Sequence, residues 1–284
     1  MREAGARTVG SRALPALGDD GEAGVEWWVQ PSAPGGDVDA VVAALRARAR
    51  EEAPGPTTDL VVVPAALDAL PRLVVLDVDS TLITGEVVEM LAARAGVEDE
   101  VARVTEAAMR GEVDFTESLH RRVALLEGLP VEVLDDVRDE VILSPGAAAM
   151  ASALAAAGVP VGVVSGGFLE VVGPLAASLG IPHARANVLE VDAGRLTGRV
   201  RGDVVDAAAK ERFLRELAQH HGVPTAGTVA VGDGANDLDA VGAAGTGVAF
   251  CARPVLAAAA DVVLRQRDLT AVAHLVGVGR PEGG

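Results

Sequence analysis

The chain has 284 residues, 50% of them hydrophobic and 2% aromatic, so its length allows one large domain, or a core domain with an insertion, built mainly from Ala, Val and Leu. Its formal net charge of −17 argues against nucleic acid or an anionic membrane surface as the main partner. The single cysteine, Cys251, excludes an internal disulfide and favours a reducing cytoplasm.

The N-terminal region, residues 1–70, differs from the rest of the chain. It contains Gly- and Pro-rich segments around a strand-like stretch at 25–29, a helical stretch at 38–50 and a strand-like stretch at 60–63. We expect a small βαβ appendage that packs on the main domain, since it is too short to bury much surface alone. The N-terminus has no continuous apolar segment of the kind found in signal peptides.

The next predicted element is a strand over Leu73–Leu76, buried on both faces because its four residues are all apolar. Asp77 and Asp79 follow it, and residues two apart in an extended segment face the same side. A cation or a proton must offset their repulsion, which suits a carboxylate nucleophile with a neighbouring acid/base near Mg²⁺. The alternative is a polar strand end that caps a helix.

Residues 86–141 contain no convincing strand and predict four amphipathic helices, at 87–95, 100–109, 116–126 and 131–137. This helical insertion directly follows the first strand. We therefore expect it to lie above the strand's carboxyl end as a lid that excludes water.

From residue 161 onward, predicted strands alternate with predicted helices. The strands are 161–164, 228–231, 248–250 and 262–264, and the helices are 167–179, 205–220, 238–244 and 254–260. This order predicts an α/β fold with a doubly wound parallel sheet. Residues 186–200 interrupt the alternation and predict a β-hairpin. The uncharged stretch from 141 to 169 is long enough to cross a bilayer, but Gly158 and Pro160 divide it, so we expect a soluble protein.

Three further motifs follow the strands. Ser165-Gly166-Gly167 at a helix start would suit phosphate binding through free backbone amides, although Ser-Gly-Gly is also an ordinary turn. Lys210 is the only lysine of the chain and could reach a phosphoryl oxygen, although a lone helix lysine is more often solvated. Asp233, in the segment Gly232–Asp237, would lie level with Asp77 and supply oxygen to Mg²⁺.

In this order, the motifs DVDST, SGG, Lys210 and GDGAND resemble those of the haloacid dehalogenase-like hydrolase superfamily. Glu86, the run Met109-Arg110-Gly111, Phe115 and residues 118–123 are similar to the cap segment of the phosphoserine phosphatase family. The resemblance covers roughly residues 71–276. It implies a Rossmann-like phosphatase domain over 71–284 with a helical cap at 86–141, and a shortened ACT-like unit as one interpretation of residues 1–70.

The resemblance also implies an activity and residue roles. The activity is Mg²⁺-dependent hydrolysis of O-phospho-L-serine through an aspartyl-phosphate, the last step of serine biosynthesis. Asp77 would be the nucleophile and Asp79 the acid/base, with Mg²⁺ held by Asp77, Asp233 and the backbone carbonyl of Asp79. Substrate binding falls to Glu86, Arg122, Ser165, Gly166, Lys210 and Asn236, and supporting positions to Asp237, Gly167, Met109 and Phe115.

Two other functions stay open from the residues alone. One keeps the chemistry but uses another small phosphomonoester, or transfers the phosphoryl group to an acceptor such as homoserine. The other is a non-catalytic phosphate-binding module, which the Asp77 and Asp79 pair argues against, because a binder gains nothing from two carboxylates facing an anion. We expect a cytoplasmic protein whose partner is the small substrate, with neither nucleic acid nor membrane, and a homodimer is one alternative for its assembly.

Overall fold

The structure is a computed structural model that describes residues 6–14, 24–33, 36–51, 59–64 and 70–278. Its strands are β1 (Ala6–Leu14), β2 (Gly24–Pro31), β3 (Leu73–Leu76), β4 (Val161–Phe168), β5 (His183–Asp192), β6 (Arg195–Arg201), β7 (Thr228–Gly232), β8 (Thr246–Phe250) and β9 (Val262–Leu264). Its helices are α1 (Val38–Glu51), α2 (Val87–Ala95), α3 (Glu98–Met109), α4 (Phe115–Ala124), α5 (Val133–Glu140), α6 (Ala147–Ala156), α7 (Leu169–Ser178), α8 (Ala207–His221), α9 (Leu238–Ala243), α10 (Pro254–Ala259) and α11 (Thr270–Leu275).

Strand β3 lies at the centre of a seven-stranded sheet with the order β6-β5-β4-β3-β7-β8-β9. All neighbours are parallel except β5 and β6, which form an antiparallel hairpin. Val74 and Leu76 belong to the core that includes α6, α7 and α11, whereas Leu73 and Val75 belong to the core that includes α8, α9 and α10. Because helices cover both faces, the fold is the predicted doubly wound α/β arrangement.

The segment between β3 and α6 is helical and consists of α2 to α5. Main-chain hydrogen bonds attach it to the β5–β6 hairpin: the amide of Gly128 donates to the carbonyl of Leu196 at 2.8 Å, and the amide of Val131 donates to the carbonyl of Gly194 at 2.9 Å. The hairpin therefore anchors the connection between α4 and α5 to the sheet.

Two predicted features differ around β4 and β5. Strand β4 continues to Phe168 with an irregular register after Val164, so α7 begins at Leu169 and not at Gly167. The two glycines of the Ser-Gly-Gly motif form an irregular strand end here, which glycine permits, and not the first turn of a helix. In addition, β5 pairs with β4 before it enters the hairpin, so this region extends the main sheet.

The N-terminal region also departs from its prediction. Its described elements run strand, strand, helix, with β1 and β2 antiparallel, whereas the sequence predicts a βαβ order and does not predict β1. Residues 60–63, predicted as a strand, are described and belong to none. The region contacts the main domain where Arg46 forms an ion pair with Asp261, and where the amide of Arg265 donates to Asp59 at 2.9 Å.

The uncharged stretch from 141 to 169 divides mainly into α6 and β4, as its Gly and Pro residues predict. Within the ranges that the structure describes, no helix combines the length and the apolar character that a membrane crossing requires.

Candidate active site

Asp77 is the first residue after β3, and its backbone holds it at the carboxyl edge of the sheet. Its amide donates to the carbonyl of Val231 in β7 at 2.9 Å, which continues the parallel pairing. The chain then makes one π-type turn, Val78–Leu82, in which Ser80 has a left-handed φ of 57°. Oδ1 of Asp77 accepts a hydrogen bond from the Val78 amide at 2.7 Å. Its Oδ2 is thereby left for contacts with other elements.

Two more carboxylates meet Asp77 at this edge. One oxygen each of Asp77, Asp233 and Asp237 lies within 4.8 Å of the other two. Asp233 follows β7, and Asp237 closes the 3₁₀ turn Ala235–Asp237. Oδ2 of Asp237 accepts hydrogen bonds from the amides of Asp233 and Gly234 at 3.2 and 3.1 Å. The structure thus brings Asp77 and Asp233 together, and it adds Asp237, for which the sequence predicts only a supporting position.

Lys210 supplies a buried positive charge to this acidic group. It comes from the first turns of α8, and its side chain is 0% exposed. Its Nζ lies 2.8 Å from Oδ2 of Asp77 and donates to Oδ1 of Asp237 at 2.7 Å. Burial lowers the pKa of the ammonium, but the charges of Asp237 and Asp77 outweigh burial and raise it overall. Lys210 therefore stays protonated between two carboxylates.

The group carries more negative than positive charge, with three carboxylates facing one ammonium. Burial, and then the charge of Asp237, raises the pKa of Asp77 well above its usual value, and Lys210 opposes this shift. The same two causes raise the pKa of Asp233 to about 6. A divalent cation between these oxygens would offset the repulsion, and carboxylate oxygens are the ligands that Mg²⁺ prefers. The donor set therefore fits Mg²⁺.

Asp79 faces a different part of the site. Its Oδ1 accepts a hydrogen bond from the Val87 amide at 2.8 Å, and its Oδ2 accepts one from the Ser165 hydroxyl at 2.9 Å. A glycine is needed beside it, because a Cβ on Gly167 would lie 2.7 Å from Oδ2 of Asp79. Burial raises the pKa of Asp79, and the bonds from Val87 and Ser165 oppose this shift. A raised pKa favours the protonated carboxyl that a proton donor requires.

The Ser165-Gly166-Gly167 segment lies between Asp79 and the cap. The amide of Gly167 donates to Oγ of Ser165 at 2.7 Å. The sequence predicts a free amide at a helix start here, but this amide is used in a bond within the segment, and the helix begins only at Leu169. Gly166 lies against Phe115 of α4, since a Cβ on Gly166 would be 2.8 Å from Cζ of that ring. The cap therefore covers this segment through Phe115.

Glu86 and Arg122 lie on the cap side of Asp79. The Ser80 hydroxyl donates to Oε1 of Glu86 at 3.3 Å, and Nε of Arg122 donates to the carbonyl of Ser118 at 3.3 Å. Burial, and then the charge of Asp79, raises the pKa of Glu86 to about 7. Burial lowers the pKa of Arg122, whereas Glu86 and Asp79 raise it. The three charged groups thus act on one another across the junction of cap and core.

Asn236 and Met109 are the two remaining residues that the sequence predicts at the site. Asn236 is half-buried in the 3₁₀ turn, with its Oδ1 only 2.5 Å from where a Cβ on Gly234 would stand. Met109 ends α3, and its side chain lies outside the described residues.

The sequence does not point to two residues that fix the site's loops. Asn187, buried in β5, donates from Nδ2 to the carbonyl of Gly166 at 2.8 Å and accepts from the Val205 amide at 2.8 Å. Arg267 donates to the carbonyl of Ser80 at 3.1 Å. Each lies far along the chain from the loop it contacts and in none of the motifs, so no local pattern marks it.

Comparison with known proteins places this geometry in a family. The family model described as haloacid dehalogenase-like hydrolase matches residues 74–241, which include most of β3, the helical insertion, β4 and β7. The match therefore covers Asp77, Lys210 and the Asp233–Asp237 segment.

The individual relatives and the solved structure described next are all phosphoserine phosphatases. A phosphoserine phosphatase of Streptomyces coelicolor is 54% identical over 239 residues, which are 84% of this chain and 58% of that protein. One from Lactococcus lactis is 46% identical over 204 residues, 72% of this chain and 94% of that protein. A solved phospho-aspartyl intermediate analogue of phosphoserine phosphatase is 40% identical, with a TM-score of 0.69, and covers 73% of this chain and 99% of its own. The chain thus spans less than two thirds of the first relative.

Proposed function

The chain belongs to the haloacid dehalogenase-like hydrolases, and on that premise we propose that it is a Mg²⁺-dependent phosphatase that hydrolyses O-phospho-L-serine to L-serine and phosphate. One observation carries the proposal: Asp77, Asp233 and Asp237 lie together, and the chain's only lysine, fully buried, contacts Asp77 and Asp237. Such a group offers a nucleophile and a cation site side by side, and Asp79 next to it offers a proton. The phosphoserine phosphatases that the chain resembles support the choice of substrate.

In the first step, a carboxylate oxygen of Asp77 attacks phosphorus, and the bond from phosphorus to the seryl oxygen breaks. Asp79 gives its proton to the departing oxygen, so serine leaves with a neutral hydroxyl group. The hydrogen bonds from Val87 and Ser165 hold the Asp79 carboxyl in place for this transfer. Proton transfer from a positioned side chain typically contributes ~10²–10⁴-fold to the rate. The product of this step is an aspartyl-phosphate on Asp77.

In the second step, water attacks the phosphorus of the aspartyl-phosphate. Asp79, now a carboxylate, takes a proton from that water while the bond from phosphorus to Asp77 breaks. Inorganic phosphate leaves, Asp77 returns as a carboxylate and Asp79 is again protonated. The cap, closed over the site by Phe115 and with Met109 assigned beside it, keeps other water away from the intermediate.

We assign the Mg²⁺ ion to the carboxylates of Asp77 and Asp233 and to the backbone carbonyl of Asp79, with Asp237 as the third acid of the group. When bound, the ion supplies the positive charge that lets an anionic nucleophile approach an anionic phosphate. We assign the remaining contacts to the phosphoryl oxygens to Lys210, Ser165 and Gly166. Gly167 supports the loop that carries Ser165 and Gly166. Asn236 orients the phosphate or the substrate.

Glu86 and Arg122 are assigned the two charges that distinguish phosphoserine from a simple phosphomonoester. Glu86 would accept hydrogen bonds from the ammonium, which would bring its raised pKa back down by placing a positive charge beside it. Arg122 would bind the carboxylate, a pairing that its planar guanidinium can make with two bonds. Together with Lys210, Arg122 provides local positive charge for an anionic substrate in a chain whose net charge is −17.

The proposal extends to the organisation and setting of the chain. Residues 71–284 would form the phosphatase domain with its cap at 86–141, and residues 1–70 an appendage. The reaction would complete serine biosynthesis in the cytoplasm. A single free, half-buried cysteine is compatible with that reducing compartment. For assembly, a homodimer stays one of the alternatives.

The direct test is release of phosphate from O-phospho-L-serine at increasing Mg²⁺ concentration, with EDTA as the control. We expect no turnover in EDTA and full recovery when Mg²⁺ is restored in excess, because the acidic group needs a cation before an anion can approach. We also expect kcat/KM for phosphoserine to exceed that for an aryl phosphate by more than about 100-fold, since two charged contacts are worth ~1.5–3 kcal/mol each. Equal rates with and without EDTA would refute the requirement for Mg²⁺. A higher kcat/KM for the aryl phosphate would refute O-phospho-L-serine as the preferred substrate.

Arg122→Ala is expected to lower kcat/KM for phosphoserine by roughly 10–100-fold, the value of one hydrogen bond to a charged group, and to leave an aryl phosphate within about 2-fold. Arg121→Ala is the matched control, because Arg121 is adjacent but 53% exposed and pairs with Glu117 on the helix surface. Such a surface pair contributes about 0–1 kcal/mol, so the control should leave kcat/KM unchanged for both substrates. Equal losses on both substrates for Arg122→Ala would remove it from substrate selection.

A further inference from the structure

The turn that presents Asp79 is held at Ser80 by three hydrogen bonds. Ser80 has a left-handed φ of 57°, which a residue other than glycine keeps only where surrounding contacts hold it. Its amide donates to the carbonyl of Gly85 at 3.1 Å, and its hydroxyl donates to Oε1 of Glu86 at 3.3 Å. Both of those partners belong to the same segment and would move with the turn. The third bond comes from the loop after β9, where Nη1 of Arg267 donates to the Ser80 carbonyl at 3.1 Å.

Arg267 also lies beside the segment through which the chain leaves the cap. The chain enters the cap after Leu82 and returns to the core at Ser144, whose amide donates to the carbonyl of Leu82 at 2.9 Å. The adjoining residues form an antiparallel bridge. Nη1 of Arg267 is 3.5 Å from Oγ of Ser144, and its guanidinium lies over the ring of Phe250, 5.6 Å from the centroid. One arginine of the core therefore contacts both connections to the cap.

The loop that carries Arg267 is held in turn by the N-terminal region. The amide of Arg265 donates to Oδ1 and Oδ2 of Asp59 at 2.9 and 3.0 Å, and the amide of Gln266 donates to Oδ2 at 3.0 Å. One carboxylate thus binds the two amides immediately before Arg267. Hydrogen bonds to an ionised acceptor are stronger than neutral ones, so Asp59 is well suited to fix the course of this loop.

We propose that Arg267 is a positioning residue for the proposed reaction, and that Asp59 positions Arg267. Arg267 holds the turn from which Asp79 exchanges its proton and at which Glu86 would meet the ammonium of the substrate. The N-terminal region thereby contributes to catalysis through a residue that touches neither substrate nor metal. The kinetic part of this inference rests on the proposed function, whereas its structural part does not.

The expected effect is on the site more than on the stability of the fold. Arg267 is exposed, so its polar contacts contribute little to the free energy of unfolding. Loss of a contact that supports a metal site, in contrast, typically costs about 10–100-fold in metal affinity or activity. We expect the low end of that range, because Asp79 keeps its own hydrogen bonds from Val87 and Ser165.

The first experiment measures hydrogen exchange of residues 78–86 in the full chain without metal or substrate. In Arg267→Met we expect these amides to exchange about 3–5-fold faster, a change that an exposed charged contact can supply. Arg215→Met is the matched control, because it removes the same charge from an arginine that is 58% exposed and pairs with Glu211 on the surface of α8. The control should leave the exchange of residues 78–86 unchanged.

The second experiment measures steady-state phosphate release at saturating Mg²⁺. Arg267→Met should lower kcat by about 10-fold for phosphoserine and for an aryl phosphate alike, because hydrolysis of the aspartyl-phosphate, with Asp79 as the base, is common to both. The thermal midpoint should stay within about 3 °C of the unmodified chain. Arg267→Lys should recover part of the loss, since an ammonium can still donate to one carbonyl. Arg215→Met should keep the full kcat.

A double-mutant cycle tests the link to the N-terminal region. Asp59→Ala alone should lower kcat by about 2–3-fold and speed exchange of residues 78–86, because the loop before Arg267 loses its acceptor. In the Arg267→Met background the same change should have no further effect, since Arg267 is the step through which Asp59 acts. Equal effects of Asp59→Ala in both backgrounds would overturn the role assigned to Asp59.

Two results would overturn the role of Arg267. One is unchanged exchange of residues 78–86 in Arg267→Met, and the other is faster exchange with an unchanged kcat. Failure of the proposed function would look different. The unmodified chain would then release no phosphate from phosphoserine, while the exchange of residues 78–86 would still distinguish Arg267→Met from Arg215→Met.

Discussion

Asp77→Asn is expected to lower kcat by on the order of 10⁴-fold or more for every phosphomonoester, because an amide cannot serve as the attacking group and no aspartyl-phosphate can form. The loss should be the same for phosphoserine and for an aryl phosphate, since both would pass through the same nucleophile. The measurement is steady-state phosphate release from each substrate at saturating Mg²⁺.

The same variant should keep its fold. An asparagine can still accept the hydrogen bond from the Val78 amide, and Lys210 keeps its bond to Asp237. Removing one carboxylate also reduces the excess negative charge of a buried group in which the pKa of Asp77 is raised. A carboxyl group whose pKa is higher in the folded than in the unfolded chain destabilises the metal-free fold at pH values above its unfolded pKa. We therefore expect an unchanged or higher thermal midpoint without metal, and a smaller rise on addition of Mg²⁺.

Asp239→Asn is the matched control for that variant. Asp239 lies two residues beyond the acidic group, on α9, and is exposed. Its replacement should leave kcat and the response to Mg²⁺ unchanged. Near-normal turnover by Asp77→Asn, with Asp239→Asn equally active, would exclude Asp77 as the nucleophile.

Lys210→Met should have the second largest effect, on stability and on turnover together. It removes the ammonium that lies between Asp77 and Asp237, both of which are almost fully buried. Leaving a buried charge without its partner typically costs about 3–5 kcal/mol. For a chain of this size that corresponds to a fall in the thermal midpoint of roughly 6–20 °C. At temperatures where the variant stays folded, kcat/KM should fall by about 10²–10³-fold for all phosphate substrates alike.

A double variant separates the two roles of Lys210. Adding Asp237→Asn to Lys210→Met removes one of the unpaired carboxylates and should restore part of the lost stability, by about 1–3 kcal/mol of coupling. It restores no donor toward a phosphoryl oxygen, so activity should stay low. Recovery of activity in step with stability would mean that Lys210 acts only by neutralising the acidic group.

The strand that precedes Asp77 follows closely from the sequence. Leu73–Leu76 has the predicted bounds because four apolar residues lie between Pro71-Arg72 and an acid, and only a strand buried on both faces suits such a run. Lys210 is predicted because it is the sole lysine, and the family resemblance implies that Asp237 fixes either Lys210 or a metal-bound water. The burial of Lys210 and its contact with Asp77 are not predicted. Asp237 is predicted only in a supporting position, since the sequence does not reveal that the 3₁₀ turn brings its carboxylate to Asp77.

What the sequence does not predict depends on contacts between distant parts of the chain. Ser165 and Asp79 bond across 86 positions, and Asn187 holds the Gly166 carbonyl from another strand. The irregular end of β4 carries no side-chain signal, because two glycines are compatible with a turn and with a bulge alike. In the N-terminal region, residues 60–63 form an apolar run that belongs to no strand, which local pattern cannot reveal.

The most direct test of the central claim is to identify the residue that carries the phosphoryl group during turnover. The chain is mixed with O-phospho-L-serine and Mg²⁺, quenched in acid within the first turnovers, digested and analysed by mass spectrometry. We expect the peptide that contains Asp77 to gain the mass of one phosphoryl group, and Asp77→Asn to show no such gain. A phosphoryl group on any other residue, or none while phosphate is being released in a burst, would contradict the account.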